Sequence, residues 1–156
     1  MLPFKTILCP VDFSAGSRLA LEAARTLART SGGKVVALFV AAPALMVTDG
    51  VMAAPLLGEE EADPHSLKSQ LREFVSPRRG EIIELCVDFG NPGEEILDQA
   101  SVHKADLIVM GTHGRTGLGR LLLGSVAEHV LRRANCPVLL IKGTPQEEAT
   151  SAGTPS

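Results

Sequence analysis

Residues 105–142 read ADLIVMGTHGRTGLGRLLLGSVAEHVLRRANCPVLLIK, and the fold class turns on this stretch. Apolar runs at 107–110 and 138–141 flank a segment of helical spacing that opens at Gly124-Ser125. Continuous apolar strands are those covered on both faces, so the pattern predicts a parallel strand, a crossover helix and a second parallel strand. Between the first of these strands and the helix, Gly111, Gly114, Gly117, Gly119 and Gly124 crowd one connection. A simple strand-to-helix turn needs only a few residues.

Glycines there let main-chain N–H groups approach a ligand that a Cβ would hold off. The unpaired N–H groups and positive macrodipole at a helix start make such a loop an anion site. Arg115 and Arg120 add positive charge, and Ser125 adds a hydroxyl. The loop therefore reads as a phosphate cradle, although it has neither the Gly-Lys-Ser/Thr ending of a Walker loop nor the compact dinucleotide spacing. Two plainer readings stand beside this one. Ser125-Val-Ala-Glu128 is a capping-box pattern in which Ser125 caps the helix through the Glu128 N–H. Five glycines are also compatible with a mobile surface loop that holds no ligand.

Working outward, 4–11 is an apolar first strand, and Ser14 caps a helix whose Ala20, Ala23, Ala24, Leu27 and Ala28 recur at helical spacing until Gly32-Gly33. A second strand covers 34–40. Asp63-Pro64 opens a helix with Leu67, Leu71 and Phe74 on one face, expected to end near Arg78-Arg79-Gly80 with the arginines at its negative end. A third strand, 81–89, carries polar Glu81, Glu84 and Asp88, as a sheet edge does. Asn91-Pro92 starts another helix that faces Ile96, Leu97 and Ala100 inward until His103. Five alternations of strand and helix demand a doubly wound α/β fold, a parallel five-stranded sheet with helices on both faces, three layers in all.

Two segments fall outside this rhythm. Residues 41–62 are Ala-, Pro-, Gly- and Met-rich and end in three glutamates. Emerging on the carboxyl side of the sheet, their apolar Leu45, Met46, Val47, Val51, Met52, Leu56 and Leu57 make them either a flap or partner contact, or a partly disordered loop. Residues 143–156 have no apolar face and read as a disordered tail after a single domain at 1–142.

The chain has 156 residues, a formal net charge of −3, five Phe and no Trp or Tyr. Neither a basic surface nor stacking platforms are available for nucleic acid. Cys9, Cys86 and Cys136 are far apart in sequence, each in or beside a strand, and read as buried reduced thiols. No apolar run is long enough to span a membrane and no signal peptide is visible, so a cytoplasmic protein is expected. His65, His103 and His129 lie on expected helices without metal spacing and read as surface residues.

Gly111-x2-Gly114-x9-Gly124-Ser125 resembles the nucleotide signature G-x2-G-x9-G-(S/T) of the universal stress protein family. The opening Ile7-Leu-Cys-Pro-Val-Asp-Phe-Ser14 and the closing Asn135-Cys-Pro-Val-Leu-Leu-Ile are similar to that family's first and last strands, and the resemblance covers about 3–142 in one copy. It implies the strand order 3-2-1-4-5, which brings Pro10, Val11, Asp12 and Ser14 beside Gly111 and Gly114. Ligands in such folds bind where the winding reverses, here between the first and fourth strands.

What the resemblance implies for function is ATP with Mg²⁺ or Mn²⁺. The contacts expected are Pro10, Val11, Asp12, Val40, Met110, Gly111, Thr112, His113, Gly114, Arg115, Thr116, Gly124, Ser125 and Val126. Val40 matches the position whose main chain meets the adenine edge. By position alone, Asp12 is either a ligand to ribose hydroxyls or a bridging cation, or an ordinary Asx turn with Ser14; the family assigns an acidic residue here to the nucleotide site. His113 has no partner that would make it a general base, so no catalytic residue is assigned. The resemblance implies a nucleotide-dependent regulatory protein with little or no hydrolysis, dimeric through the edge of the last strand, Val138–Ile141. A slow ATPase or nucleotidyl-transferring enzyme, and a dimeric interaction module that holds no nucleotide, are the alternatives.

Overall fold

The computed structural model describes residues 4–42, 47–48, 51–52, 63–112 and 123–143. The elements are β1 (Thr6–Pro10), α1 (Ala15–Ser31), β2 (Lys34–Ala41), β3 (Val47–Thr48), β4 (Val51–Met52), α2 (Pro64–Val75), β5 (Ile83–Phe89), α3 (Pro92–Val102), β6 (Leu107–Gly111), α4 (Ser125–Arg133) and β7 (Val138–Ile141). The main sheet has the order β5-β2-β1-β6-β7, every neighbour parallel. Counting its five strands along the chain, this is 3-2-1-4-5, with β5 and β7 at the edges as their polar and terminal positions predict.

Alternation along the central strand builds both cores. Ile7, Cys9 and Val11 turn to one face and pack with Ala20, Leu21, Ala24, Ala28, Leu71 and Val75 of α1 and α2. Leu8 turns to the other, with Val36, Leu38, Ile108 and Met110, under Ile96, Ala127 and Val130 of α3 and α4. The alanine face of α1 lets that helix lie close to the strands, which is why Ala20 and Ala24 are fully buried.

Three helix starts are capped as their sequences predict. Ser14 Oγ accepts from the Ser17 N–H, Asp63 accepts from the N–H groups of His65 and Ser66, and Asn91 accepts from that of Glu94. Such caps contribute about 1 kcal/mol each. The expected end of α2 is corrected. It stops at Val75 because Ser76, at φ 45°, precedes Pro77, which cannot continue a helix. The arginine at its carbonyl end is Arg25 of α1, which donates to the Val75 carbonyl and, at 3.3 Å, to that of Ser76. Arg78 instead pairs with Glu22 at 2.8 Å. Glu81 is taken up in a turn, its N–H on the Arg78 carbonyl at 3.1 Å, so β5 begins at Ile83.

The irregular segment after β2 contains a feature its hydropathy hid. Val47 and Thr48 pair antiparallel with Met52 and Val51, leaving only Asp49-Gly50 between the strands, a dipeptide strongly favoured in hairpins. The rest of the expected flap, and the expected tail beyond Gly143, lie outside the described residues. No helix among the described residues is long and apolar enough to cross a membrane.

Two histidines are more enclosed than expected. His103 lies 3.8 Å from Glu84, its side chain largely covered. His129 packs so tightly on α3 that a Cβ at Gly93 would sit 2.6 Å from its ring, while Arg133 Nη1 donates to its Nδ1 at 2.6 Å. Of the three free thiols, Cys9 is fully buried and Cys86 and Cys136 are only partly so.

Gly32 ends α1 at φ 67° with open space around it, whereas a Cβ on Gly33 would lie 2.2 Å from the Phe4 carbonyl oxygen. Gly32→Ala should therefore cost about 1 kcal/mol for the left-handed backbone. Gly33→Ala should cost more, roughly 2–3 kcal/mol, because backbone must move, and urea titration of the two variants measures that order. Burial pushes the Cys9 thiol from 9.0 up to about 12, against a smaller opposing pull from Arg25. A group raised in the fold stabilises fully below its unfolded value and loses that contribution as pH rises towards the folded one. Stability should fall between pH 9 and 12, and a Cys9→Ala variant should show a shallower alkaline fall in thermal scans.

Candidate functional site

At the carboxyl ends of β1, β2 and β6 the chain leaves a cleft of about 450 Å³. Its position is the reversal point of the winding, since β1 passes to β2 on one side while β6 lies on the other. Three helix starts open onto it, through Ser14 and Ser17 of α1, Pro92 of α3, and Gly124, Ser125 and Val126 of α4.

The sheet order divides the cleft chemically. Over β2 and α3 the walls are aliphatic, with Leu38, Val40, Ala42, Pro92 and Ile96. Over β6 they become polar and main-chain rich, with Gly111, Thr112, Gly124 and Ser125, and Asp12 stands between at the end of β1. Strands two places apart in a sheet are separated by about 10 Å. That span suits a ligand with a flat apolar end and an anionic end.

Every expected contact residue that the structure describes lines this one cleft: Pro10, Val11, Asp12, Val40, Met110, Gly111, Thr112, Gly124, Ser125 and Val126. His113, Gly114, Arg115 and Thr116 lie outside the described residues. Even so, the two ends of the glycine connection are pinned together at the cleft. The Gly124 N–H donates to the Thr112 carbonyl at 2.7 Å, and the Thr112 N–H donates to that of Ile141 at 3.1 Å. Thr112 is 4% exposed.

The start of α4 differs from the capping-box expectation. Gly124 is the N-cap, Ser125 is already the first helical residue, and no side chain among the described residues caps the helix. The Glu128 N–H goes to the Gly124 carbonyl at 2.9 Å, and the Glu128 carboxylate takes Arg132 at 2.7 Å. A helix start leaves its first N–H groups without intrahelical acceptors. Here those groups, with the Ser125 hydroxyl, are presented to the cleft.

Asp12 takes part in an Asx turn, and the same turn sits in the cleft wall. Its Oδ1 accepts the Ser14 N–H at 3.0 Å and the Ser14 hydroxyl, and its own N–H lies 3.4 Å from Ser17 Oγ. Of the two readings left open by the sequence, the Asx turn is the one seen, made by a carboxylate that lines the cleft. Next to it, Phe13 adopts φ 65°, a conformation that costs a bulky residue about 1–2 kcal/mol. Among the described lining residues Asp12 is the one carboxylate, and the described residues hold no cluster of three metal-ligating side chains.

Sequence reasoning passed over Ser17, Leu38, Ala42, Pro92, Ile96 and Ala127, which also line the cleft. Pro92 was recoverable, since a helix start after any parallel strand lies at the carboxyl edge. Ser17 sits one turn after its cap and faces inward, 4% exposed, donating through Oγ to the Ser14 carbonyl at 3.0 Å.

A second cleft of about 390 Å³ lies at the opposite, amino end of the strands, lined by Arg25, Arg29, Arg78 and Arg79. It suits an anion poorly. Arg25 and Arg78 are engaged by Glu22 and Glu81, and the carbonyl ends of α1 and α2 both point there. The Glu22 carboxyl shows the balance: burial raises it, but hydrogen bonds from Arg78 and Arg25 outweigh burial and hold it below its ordinary value.

The model of the universal stress protein family matches residues 3–142. The chain belongs to the universal stress protein family. A universal stress protein of Methanocaldococcus jannaschii, MJ0531, is 38% identical over 153 residues, covering 92% of this chain and 85% of the relative. Universal stress protein UspA from Lactobacillus plantarum has the same fold, with a TM-score of 0.70 at 27% identity over 90% of this chain and 99% of its own. Another universal stress protein, whose structure was determined in complex with cAMP, matches in fold with a TM-score of 0.65 at 23% identity over 90% and 98% of the two chains.

A universal stress protein with this cleft depends on β6 lying close to α1. A Cβ on Gly111 would come 3.1 Å from the Gly16 carbonyl carbon and 3.3 Å from its oxygen. Gly111→Ala should push the first turn of α1 outward and cost about 1–3 kcal/mol, read as a lowered urea midpoint with an unchanged slope.

Proposed function

We propose that this universal stress protein binds ATP in the cleft at the reversal of the sheet and acts as a nucleotide-dependent regulatory protein. The observation that carries the reading is the uncapped start of α4 at the pinned ends of the glycine connection, opposite Asp12. A helix start with free N–H groups favours phosphate. In this reading the phosphates lie over β6 against Gly111, Thr112, Gly124, Ser125 and Val126. The remaining loop residues His113, Gly114, Arg115 and Thr116 complete the cradle.

The base lies over β2, with the Val40 main chain at its edge and Pro10, Val11 and Met110 beneath. Asp12 meets the ribose or, with the phosphates, holds Mg²⁺ or Mn²⁺. A cation bound mainly by phosphates and water needs only one or two carboxylates from the protein, and Asp12 is placed to be one. The ion would offset phosphate charge. The reading includes retention of the nucleotide with little or no hydrolysis. Binding of cAMP belongs to the fold neighbour so determined; for this chain, it makes a cyclic nucleotide the first competitor to test.

The same reading includes a homodimer through β7. That strand is an edge of the sheet, with Leu139 38% exposed, and exposed edges are ordinarily covered. Three free cysteines fit a reducing, cytoplasmic setting.

Equilibrium dialysis with labelled ATP and Mg²⁺ at millimolar concentration should show saturable binding. Asp12→Ala and Gly124→Val should each weaken it at least about tenfold, the loss of one charged contact or the filling of a main-chain approach. No saturable binding by the unaltered protein would remove the proposal.

A further inference from the structure

Phe13 is the residue that local rules least allow where it stands. Its left-handed backbone, at φ 65°, falls in the turn between β1 and α1, a region that asparagine or glycine enters readily and a bulky ring does not. Such outliers persist only where their surroundings over-determine them. Among the described residues the surroundings include two other rings. Phe13 lies 4.7 Å from Phe39 of β2 and 5.4 Å, edge-on, from Phe74 of α2. Phe74 is held in turn by Arg18 of α1, whose guanidinium lies 4.1 Å over its ring and donates to its carbonyl at 3.4 Å.

We infer that Phe13 is a positioning residue: its ring, anchored between β2 and α2, holds the turn left-handed and so sets Asp12 and the first turn of α1 against the nucleotide cleft. The inference rests on the nucleotide reading of that cleft. The chain of contacts is short. Phe13 turns its ring to the α1–α2 core, while its neighbour Asp12 lines the cleft. With φ reversed between them, Asp12 Oδ1 accepts both the N–H and the hydroxyl of Ser14. Ser14 Oγ then accepts the Ser17 N–H at 3.2 Å, fixing the start of α1.

The test is a double-mutant cycle on the full chain with ATP and Mg²⁺. Phe13→Gly removes the ring but tolerates the backbone, and Phe13→Leu keeps apolar bulk should the glycine variant fold poorly. Val36→Ala, fully buried in the opposite core and absent from the cleft lining, lowers stability without touching the turn. Each ring variant should weaken ATP about tenfold in the native background and less than about twofold in an Asp12→Ala background, while Val36→Ala leaves affinity unchanged. Native affinity in the Phe13 variants, or the same loss with and without Asp12, overturns the inference.

A ligand-free readout separates this from failure of the nucleotide reading itself. Loss of hydrogen-exchange protection at the Ser14 and Ser17 amides in Phe13→Leu, with Ala24 still protected, supports the positioning role whether or not ATP binds. Unchanged protection at those two amides overturns it.

Discussion

Parallel strands cannot be joined by a tight turn, so each strand of this sheet that leads on to another must do so through a crossover that includes a helix. Most of the architecture is a consequence of that constraint. It places the starts of α1, α3 and α4 along one edge of the sheet, and it requires both faces to be covered. The inner strands are therefore mainly apolar, while the edge strand β5 keeps Glu84 and Asp88, and the chain divides its core into two halves that share β1, β2 and β6. A crevice is left wherever successive crossovers leave in opposite directions. With the order β5-β2-β1-β6-β7 this happens between β1 and β6. The cleft is thus a product of connectivity before any residue in it is chosen.

The residues chosen then differ from those at the other end of the same strands. At the amino end, carbonyl ends of helices meet arginines, and the arginines meet Glu22 and Glu81. Arg25 is buried, and its Nε lies 3.3 Å from Glu81 at an angle too poor for a hydrogen bond. An ion pair remains at that distance, and the other nitrogens are satisfied by Glu22 and by main-chain carbonyls. This network ties α1 to the end of α2 and commits its charge to the fold. At the carboxyl end no described residue closes off the start of α4 in this way, and its amides stay available.

How much of this the sequence disclosed depends on how local each signal is. Caps and helix starts at Ser14, Asp63 and Asn91 involve residues within a turn of one another, and all three were legible, as was β7 to the residue. The strand order was not legible from periodicity; it came with the family resemblance, because pairing depends on contacts far apart in the chain. The end of α2 was misplaced since arginines at a helix end look favourable, while the Ser76-Pro77 stop is decided by backbone sterics. The Ser125 capping box failed for a related reason. Its pattern is right, but Gly124 already occupies the cap position. In the cleft, residues whose main chain or hydroxyl faces inward from known motifs were found, whereas Ile96 and Leu38 are indistinguishable in sequence from ordinary core.

Local rules are set aside at four places along the described chain, by a left-handed backbone at Phe13, Ser76 and Lys104 and by a missing side-chain cap at α4, and two of these, Phe13 and the start of α4, border the cleft. Going without a side-chain cap forgoes about 1 kcal/mol at α4, and the left-handed Phe13 costs about 1–2 kcal/mol. Two aromatic contacts, about 0.5–1.5 kcal/mol each, are of the size needed to offset the second cost, and nothing among the described residues offsets the first. Phosphate would, since an anion at a helix start recovers energy of that order. An asymmetry of this kind has a direction. The turn at β1 is held in shape by the fold itself, whereas in the proposed reading the start of α4 would gain its partner only when a ligand arrives. Departures from local consistency are expected where function outranks stability, and two of those seen here fall on turns that, in the proposed reading, the triphosphate bridges.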